Sequence, residues 1–257
     1  MKFAIIILIF SIFLTPVHAK VMEGGVSKVG DINQIVDSNT NTPVSGAKIS
    51  LPKQNYTTYS DANGTFNIDT RVNDNSILSI QKQGYRPFSI TINQEIASKP
   101  LILGIEKSNA QDVVISTEMF HLGDDNFSSA SANSSEFKGK AIGPYFSKTF
   151  MMATDTLRKE NYLKIGSIIG IDTLIARSMK QNSILNSYSS PPEVFFNGKK
   201  IAEIQLNGDN QRIKLPKNLV RAGQMNEITI KTGHNLKQTA YIDYDDIEFM
   251  NLSIQSE

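Results

Sequence analysis

Residues 42–68, TPVSGAKISLPKQNYTTYSDANGTFNI, constrain the fold more than any other stretch of the chain. Ala47, Ile49 and Leu51 alternate with polar neighbours, as do Phe66 and Ile68, with a polar segment over 56–60 between them. Alternation of period two buries one face of a strand and leaves the other to solvent, a pattern no helix can use. The punctuation is equally specific. Thr42-Pro43 sets a rigid turn, Gly46 permits a close bend, and Asp61-Ala62-Asn63-Gly64 offers the positive backbone dihedrals that close a tight hairpin. A stretch of this kind needs further strands to pair with.

Those strands are readable on either side. Alternating or β-branched segments at 29–36, 47–51, 56–60, 65–69, 76–81, 85–92 and 101–106 are separated by turn clusters of Asn, Asp, Gly, Pro and Ser. Seven short strands with no helical period predict an antiparallel β-sandwich. Beyond a short polar segment at 108–112, further strands are expected at 113–115, 145–152, 163–169, 172–177, 193–196, 200–206, 211–215, 226–231 and 247–254. A short helix within 151–160 or 173–182 is the local alternative. The serine-rich stretch 128–135 reads as a loop.

The first 19 residues carry Lys2, an apolar run over 3–14 and the small-residue ending Val17-His18-Ala19. That is the pattern of a cleavable secretory signal, and its apolar run is short of the roughly 20 residues a membrane span needs. An uncleaved N-terminal anchor is the alternative. The expected location is secreted, periplasmic or at the cell envelope. Cysteine is absent, so no disulfide can staple an exported domain, and burial of apolar surface must supply the stability. Without Lys2 the chain holds 25 basic and 25 acidic residues, with no long run of either sign. Such a balance argues against nucleic acid or an anionic membrane as the main partner.

Gly30-Asp31-Ile32, Pro43-Val44-Ser45-Gly46-Ala47, Tyr59-Ser60-Asp61-Ala62-Asn63-Gly64-Thr65-Phe66 and Gly84-Tyr85 occur in an order that resembles the carboxypeptidase regulatory-like domain, a transthyretin-like sandwich. The resemblance implies a non-catalytic spacer or docking module over 29–107. A second resemblance rests on Val194-Phe195-Phe196-Asn197-Gly198-Lys199, on the segment 215–230 and on 241–249, which together look like galactose-binding-like sandwiches, the fold of many carbohydrate-binding modules. In that group one residue usually separates the glycine from the asparagine, whereas Gln224 and Met225 both intervene after Gly223 here.

The expected organisation is therefore all-β: a signal at 1–19, a leader at 20–28, an Ig/transthyretin-like sandwich at 29–107, a linker at 108–112 and a jelly-roll sandwich at 113–257. The implied function is non-catalytic binding of a glycan or other polymer. The alternative is a structural or adhesive protein that contacts other envelope proteins.

Chemistry concentrates in the second half. The run Asp243-Tyr244-Asp245-Asp246-Ile247-Glu248 gathers carboxylates, and calcium takes about six to eight oxygen ligands. If the first and last strands of this half are neighbours, Glu118, Asp124 and Asp125 face Asp246 and form the candidate calcium site. The plainer reading is an acidic sheet edge that keeps the protein soluble. Sugar rings stack on flat aromatic faces, and tryptophan is absent, so Tyr145, Phe146, Tyr188, Tyr241 and Tyr244 are the possible platforms, the four tyrosines being the candidate ligand-binding residues, with core or turn packing as the competing role. His121 and His234 are the only histidines outside the signal segment. Neither sits in a zinc-protease helix, a Gly-x-Ser-x-Gly elbow or a phosphate loop, so the chain is not expected to be an enzyme.

Overall fold

The computed structural model describes residues 32–72, 75–123, 137, 141–182, 187–237 and 245–257. Residues 31–257 form one compact unit. The first half holds Asn33–Asp37 (β1), Lys48–Leu51 (β2), Tyr56–Tyr59 (β3), Thr65–Phe66 (β4), Ser76–Gln81 (β5), Phe88–Ile92 (β6) and Ile102–Ile105 (β7), with a single helical turn, Gln94–Ala97 (α1), before β7. A three-stranded sheet, β4-β1-β7, faces a four-stranded sheet, β3-β2-β5-β6. Ile35, Ile49, Leu51, Phe66, Leu78, Ile80, Ile92 and Ile105 fill the space between them.

The Asp61–Gly64 turn does not close the expected hairpin. β3 pairs with β2 and β4 pairs with β1, so the turn carries the chain from one sheet to the other. Asp61 shapes it, accepting hydrogen bonds at Oδ1 from the amides of Asn63 (2.9 Å) and Thr65 (2.8 Å). Gly64 has φ +72°, and a Cβ there would lie 2.4 Å from the Ile35 carbonyl oxygen. Only glycine lets the turn pass so close to β1. The hairpin forms instead between β2 and β3, around Pro52–Gln54 and the left-handed Asn55.

The second half contains Val113–Leu122 (β8), Tyr145–Met151 (β9), Asn161–Ile169 (β10), Leu174–Ser178 (α2), Tyr188–Ser189 (β11), Glu193–Phe196 (β12), Lys199–Glu203 (β13), Gly208–Lys214 (β14), Met225–Lys231 (β15), Asn235–Lys237 (β16) and Ile247–Ser256 (β17). One four-stranded sheet runs β14-β10-β17-β8 and the other β13-β12-β15-β9, and β11 and β16 form a small separate pair. The first long strand lies beside the last, antiparallel, with His121 opposite Glu248. Phe120, Phe146 and Phe249 meet between the sheets at centroid separations of 4.4 to 5.7 Å. Where a strand was expected over 172–177 the chain turns into α2. The Thr173 hydroxyl accepts from the Ala176 amide and caps the helix, and of its five residues only Ala176 is buried.

Every residue of β17 is buried, although its sequence alternates. Ile247, Phe249, Leu252 and Ile254 enter the core of the second sandwich. Between them Asn251 adopts φ +60° and the register against β8 shifts, so Met250 and Asn251 both turn to the outer side. That side packs on β5 and β6 of the first sandwich. Ile77, Phe137, Ile169 and Met250 form a small apolar cluster there, beside the hydrogen bonds of Asn251 with Ser79 and of Ser167 with Ser89. Among the described residues no helix is long and apolar enough to cross a membrane.

Candidate functional site

The solvent-facing side of the sheet β13-β12-β15-β9 is set by register. Tyr145, Lys231 and Glu193 lie in one row across β9, β15 and β12, and Ser147, Thr229 and Phe195 lie in the next. Directly opposed residues share a face, and the intervening Phe146, Ile230 and Val194 point into the core. Tyr145 keeps 58% of its surface exposed. The Ser147 and Thr229 hydroxyls are 2.9 Å apart. The Lys231 ammonium lies 4.7 Å from the centre of the Phe195 ring, and Lys200 joins Glu193 and Glu203 at the far side. This face is therefore a shallow surface of aromatic rings interleaved with hydroxyls and compensated charges.

Loops gather at the Tyr145 end. Thr232 at the end of β15 donates its amide to the Pro144 carbonyl and its hydroxyl to the Asp245 carbonyl. Beyond it the short β11–β16 pair sets Tyr188 opposite Lys237, with Tyr188 half-buried. Asn235 donates from Nδ2 to Asp245 Oδ1 at 2.9 Å. Tyr145 and Tyr188 thus belong to the same end of the sandwich, while Tyr241 and Tyr244 lie outside the described residues.

The acidic run leads inward. Asp246 is fully buried and its Oδ2 is 2.9 Å from His121 Nε2, itself buried and packed edge-on against Phe137. Gly123 is required beside this pair, since a Cβ there would sit 2.0 Å from Asp246 Oδ1. Glu118, three residues before His121, is exposed on β8, whereas Asp246, just before β17, is fully buried, so the two do not share an environment. Asp124 and Asp125 lie outside the described residues. Among the described residues no group of three or more His, Asp or Glu side chains gathers as a metal centre would. His234 is exposed at the end that carries β16.

Asp172 lies at the same end, enclosed at the start of α2. Burial pushes its carboxyl up to about 6, against the opposing pull of the Arg177 guanidinium 2.8 Å away.

Residues 34–115 match the CarboxypepD_reg-like domain family. A search of curated proteins returned no match. Among solved structures the chain is similar to a candidate carbohydrate-binding protein from Bacteroides uniformis, with 10% identity over 88% of this chain and 97% of the other and a TM-score of 0.23. It is also similar to the GH31 α-xylosidase of Xanthomonas citri, with 9% identity, 90% and 38% coverage and a TM-score of 0.21. A third structure, of carbohydrate-binding modules from the β-sandwich superfamily, aligns at 9% identity over 87% of each chain with a TM-score of 0.15.

Among the described residues no strand of the CarboxypepD_reg-like segment joins the sheet that carries the exposed face of β9, β12 and β15. That segment meets the opposite sheet of the second sandwich, where Asp209 Oδ1 accepts from the amide and hydroxyl of Thr91, 2.9 Å each, and from Ser167 Oγ at 2.7 Å. The segment after β7 is tied down as well: Asp112 takes Arg86 Nε at 2.8 Å and the Ser256 amide at 3.1 Å. Of the tyrosines expected from the sequence to bind ligand, Tyr145 lies on this outer face, and Phe195, Ser147 and Thr229 beside it were not among the candidates. The available signal was the alternation on either side of Phe146 and Ile230, which assigns their neighbours to solvent once the strands are paired.

Proposed function

We propose that this is an exported, non-catalytic binding protein that holds a polyhydroxylated polymer, a glycan, on the outer face of β9, β15 and β12, with the CarboxypepD_reg-like segment as its rigid support. The observation that carries the reading is Tyr145. A phenol ring with more than half its surface in water, in a face that also bears Phe195 and the Ser147–Thr229 hydroxyl pair, offers a sugar ring an aromatic plane beside hydrogen-bonding groups. The division of eight strands into two four-stranded sheets, with the chain crossing between them repeatedly, supports the jelly-roll reading of this half. Export rests on the character of residues 1–19. Calcium held by the acidic run is also proposed, with Asp124, Asp125 and Asp246 as its ligands and without Glu118, which is exposed further along β8; a melting temperature that rises with calcium and returns with chelator checks it.

A glycan array followed by titration of the best ligand tests the function. Tyr145→Ala is expected to weaken binding about tenfold while leaving the melting temperature unchanged, since roughly 1.4 kcal/mol corresponds to that factor. If Tyr145→Ala and Phe195→Ala together leave the affinity untouched, the face is not the site. Capture of an envelope protein that survives competition by soluble polysaccharide would instead favour the protein-docking alternative.

A further inference from the structure

Where the two sandwiches meet, a cleft of about 450 Å³ opens between the Lys82–Pro87 turn of the first and the β8 and β17 strands of the second. This is within the range of small-ligand sites. It lies against the opposite sheet of the second sandwich from the one that carries Tyr145. Its charge is uneven. Asp112 faces the cleft, but both its oxygens are taken: Oδ2 by Arg86 Nε (2.8 Å) and the Asn109 amide (2.9 Å), Oδ1 by Arg86 Nη2 (3.3 Å) and the Ser256 amide (3.1 Å). Arg86 is further engaged by Glu106 at 2.8 Å. Lys48 and Lys82 also line the cleft, and among the described residues neither has a carboxylate within ion-pair distance. The acids in this wall are spent and two ammonium groups are not.

The wall is preformed. Gly84 has φ +83°, the Tyr85 amide closes the turn onto the Lys82 carbonyl, and the Arg86 amide and Glu106 carbonyl pair at 2.7 Å. Tyr85 is fixed by its hydroxyl on Asp37 at 3.2 Å. Two unspent cations on a rigid wall favour an anion, and neutral Gln83, Ser108 and Thr117 beside them suit hydroxyl groups more than an apolar side chain.

We infer that this cleft binds the carboxylate of an acidic sugar residue, a hexuronate, with Lys48 and Lys82 as the groups that hold it. The site is separate from the Tyr145 face and does not depend on it. Lys48 is exposed and Lys82 half-buried, so both can be replaced without opening either core.

The test is calorimetric titration of the full chain with an oligogalacturonate, its methyl-esterified counterpart and a neutral oligosaccharide. Binding is expected for the free acid alone and to weaken with added salt. It is expected to fall at least about tenfold in the Lys48→Ala/Lys82→Ala double variant, the loss of roughly one charge-assisted contact, and to be unaffected by Tyr145→Ala. Failure of the native chain to bind the free acid overturns the inference, as does equal binding of the ester or full affinity in the double variant. Tighter binding of a peptide C-terminal carboxylate than of the uronate would also overturn it and make the cleft a peptide site. Loss of binding in Tyr145→Ala but not in the lysine variant would assign the acid to the outer face instead.

Discussion

Asn251 of β17 donates from Nδ2 to Ser79 Oγ in β5 at 2.9 Å, and the same group reaches the Phe88 carbonyl oxygen at 2.9 Å. One side chain on a left-handed residue thereby joins two strands of the first sandwich to the central strand pair of the second. Replacing Asn251 with leucine removes the donor from two buried acceptors and places a branched side chain at φ +60°. We expect a loss of about 2–4 kcal/mol in unfolding free energy, read from denaturant titration, and a smaller loss for Asn251→Gly, which relieves the backbone but not the acceptors.

Asp172 should make stability depend on pH in an identifiable window. Its folded pKa of about 6 lies above its ordinary 3.8, chiefly through burial. The native state therefore holds this proton more tightly than the unfolded chain. The contribution is fully present below about pH 4 and is lost as pH rises through 6. Glu160 works in the opposite sense and in a different window: hydrogen bonds from Lys214 and Lys217 lower it from 4.5 to about 2, so its contribution is present above 4.5 and lost as pH falls towards 2. Asp172→Asn should flatten the melting-temperature profile between about pH 4 and 6 and leave the acid limb in place.

His121 and Asp246 look, on paper, like the beginning of a catalytic arrangement. Their burial favours a structural role, as a tie between the adjacent strands β8 and β17. His121→Ala is expected to cost about 1–3 kcal/mol in stability, because the buried hydrogen bond between Nε2 and Asp246 Oδ2 is lost. Glycan affinity at the Tyr145 face should not change. A variant of undiminished stability that had lost a hydrolytic activity would reverse this assignment.

The sequence displayed the strands far better than their partners. β2, β3, β5 and β12 fall where alternation and turn residues place them, because each has one face in a core and the other elsewhere. Which sheet a strand joins is decided by contacts distant in sequence, which is why Asp61–Gly64 reads as a hairpin and is in fact a crossing between sheets. The polar faces of β5 and β17 mislead for a related reason. Ser79, Asn251 and Ser253 look like solvent-facing positions, yet all three are buried in the contact between sandwiches. Polar groups that satisfy one another across an interface have the composition of a surface. Tyr145 was recoverable because it sits at the start of a strongly alternating strand. Phe195 was not, since Val194-Phe195-Phe196 is apolar throughout and only pairing shows which ring faces outward.

Gly166 interrupts the middle of β10, a position where a glycine weakens a strand unless another backbone comes close. Here the close approach is the first sandwich. A Cβ on Gly166 would lie 2.4 Å from Ser89 Oγ and 2.7 Å from the Asn251 Cβ, well inside contact distance. Gly166→Ala must therefore displace β6, β17 or both, while the inward faces of β10, which carry Leu163 and Ile165, keep their packing. We expect destabilisation of about 1–3 kcal/mol, the usual cost of forcing atoms into a filled site. The loss should be accompanied by faster proteolysis at the segment between the sandwiches, 106–112, and by a larger radius of gyration in solution scattering. Glycan binding at the Tyr145 face should survive, because that sheet lies on the far side of the second core. If proteolysis and radius are unchanged and only the global stability falls, the glycine serves β10 itself and not the contact between the two halves.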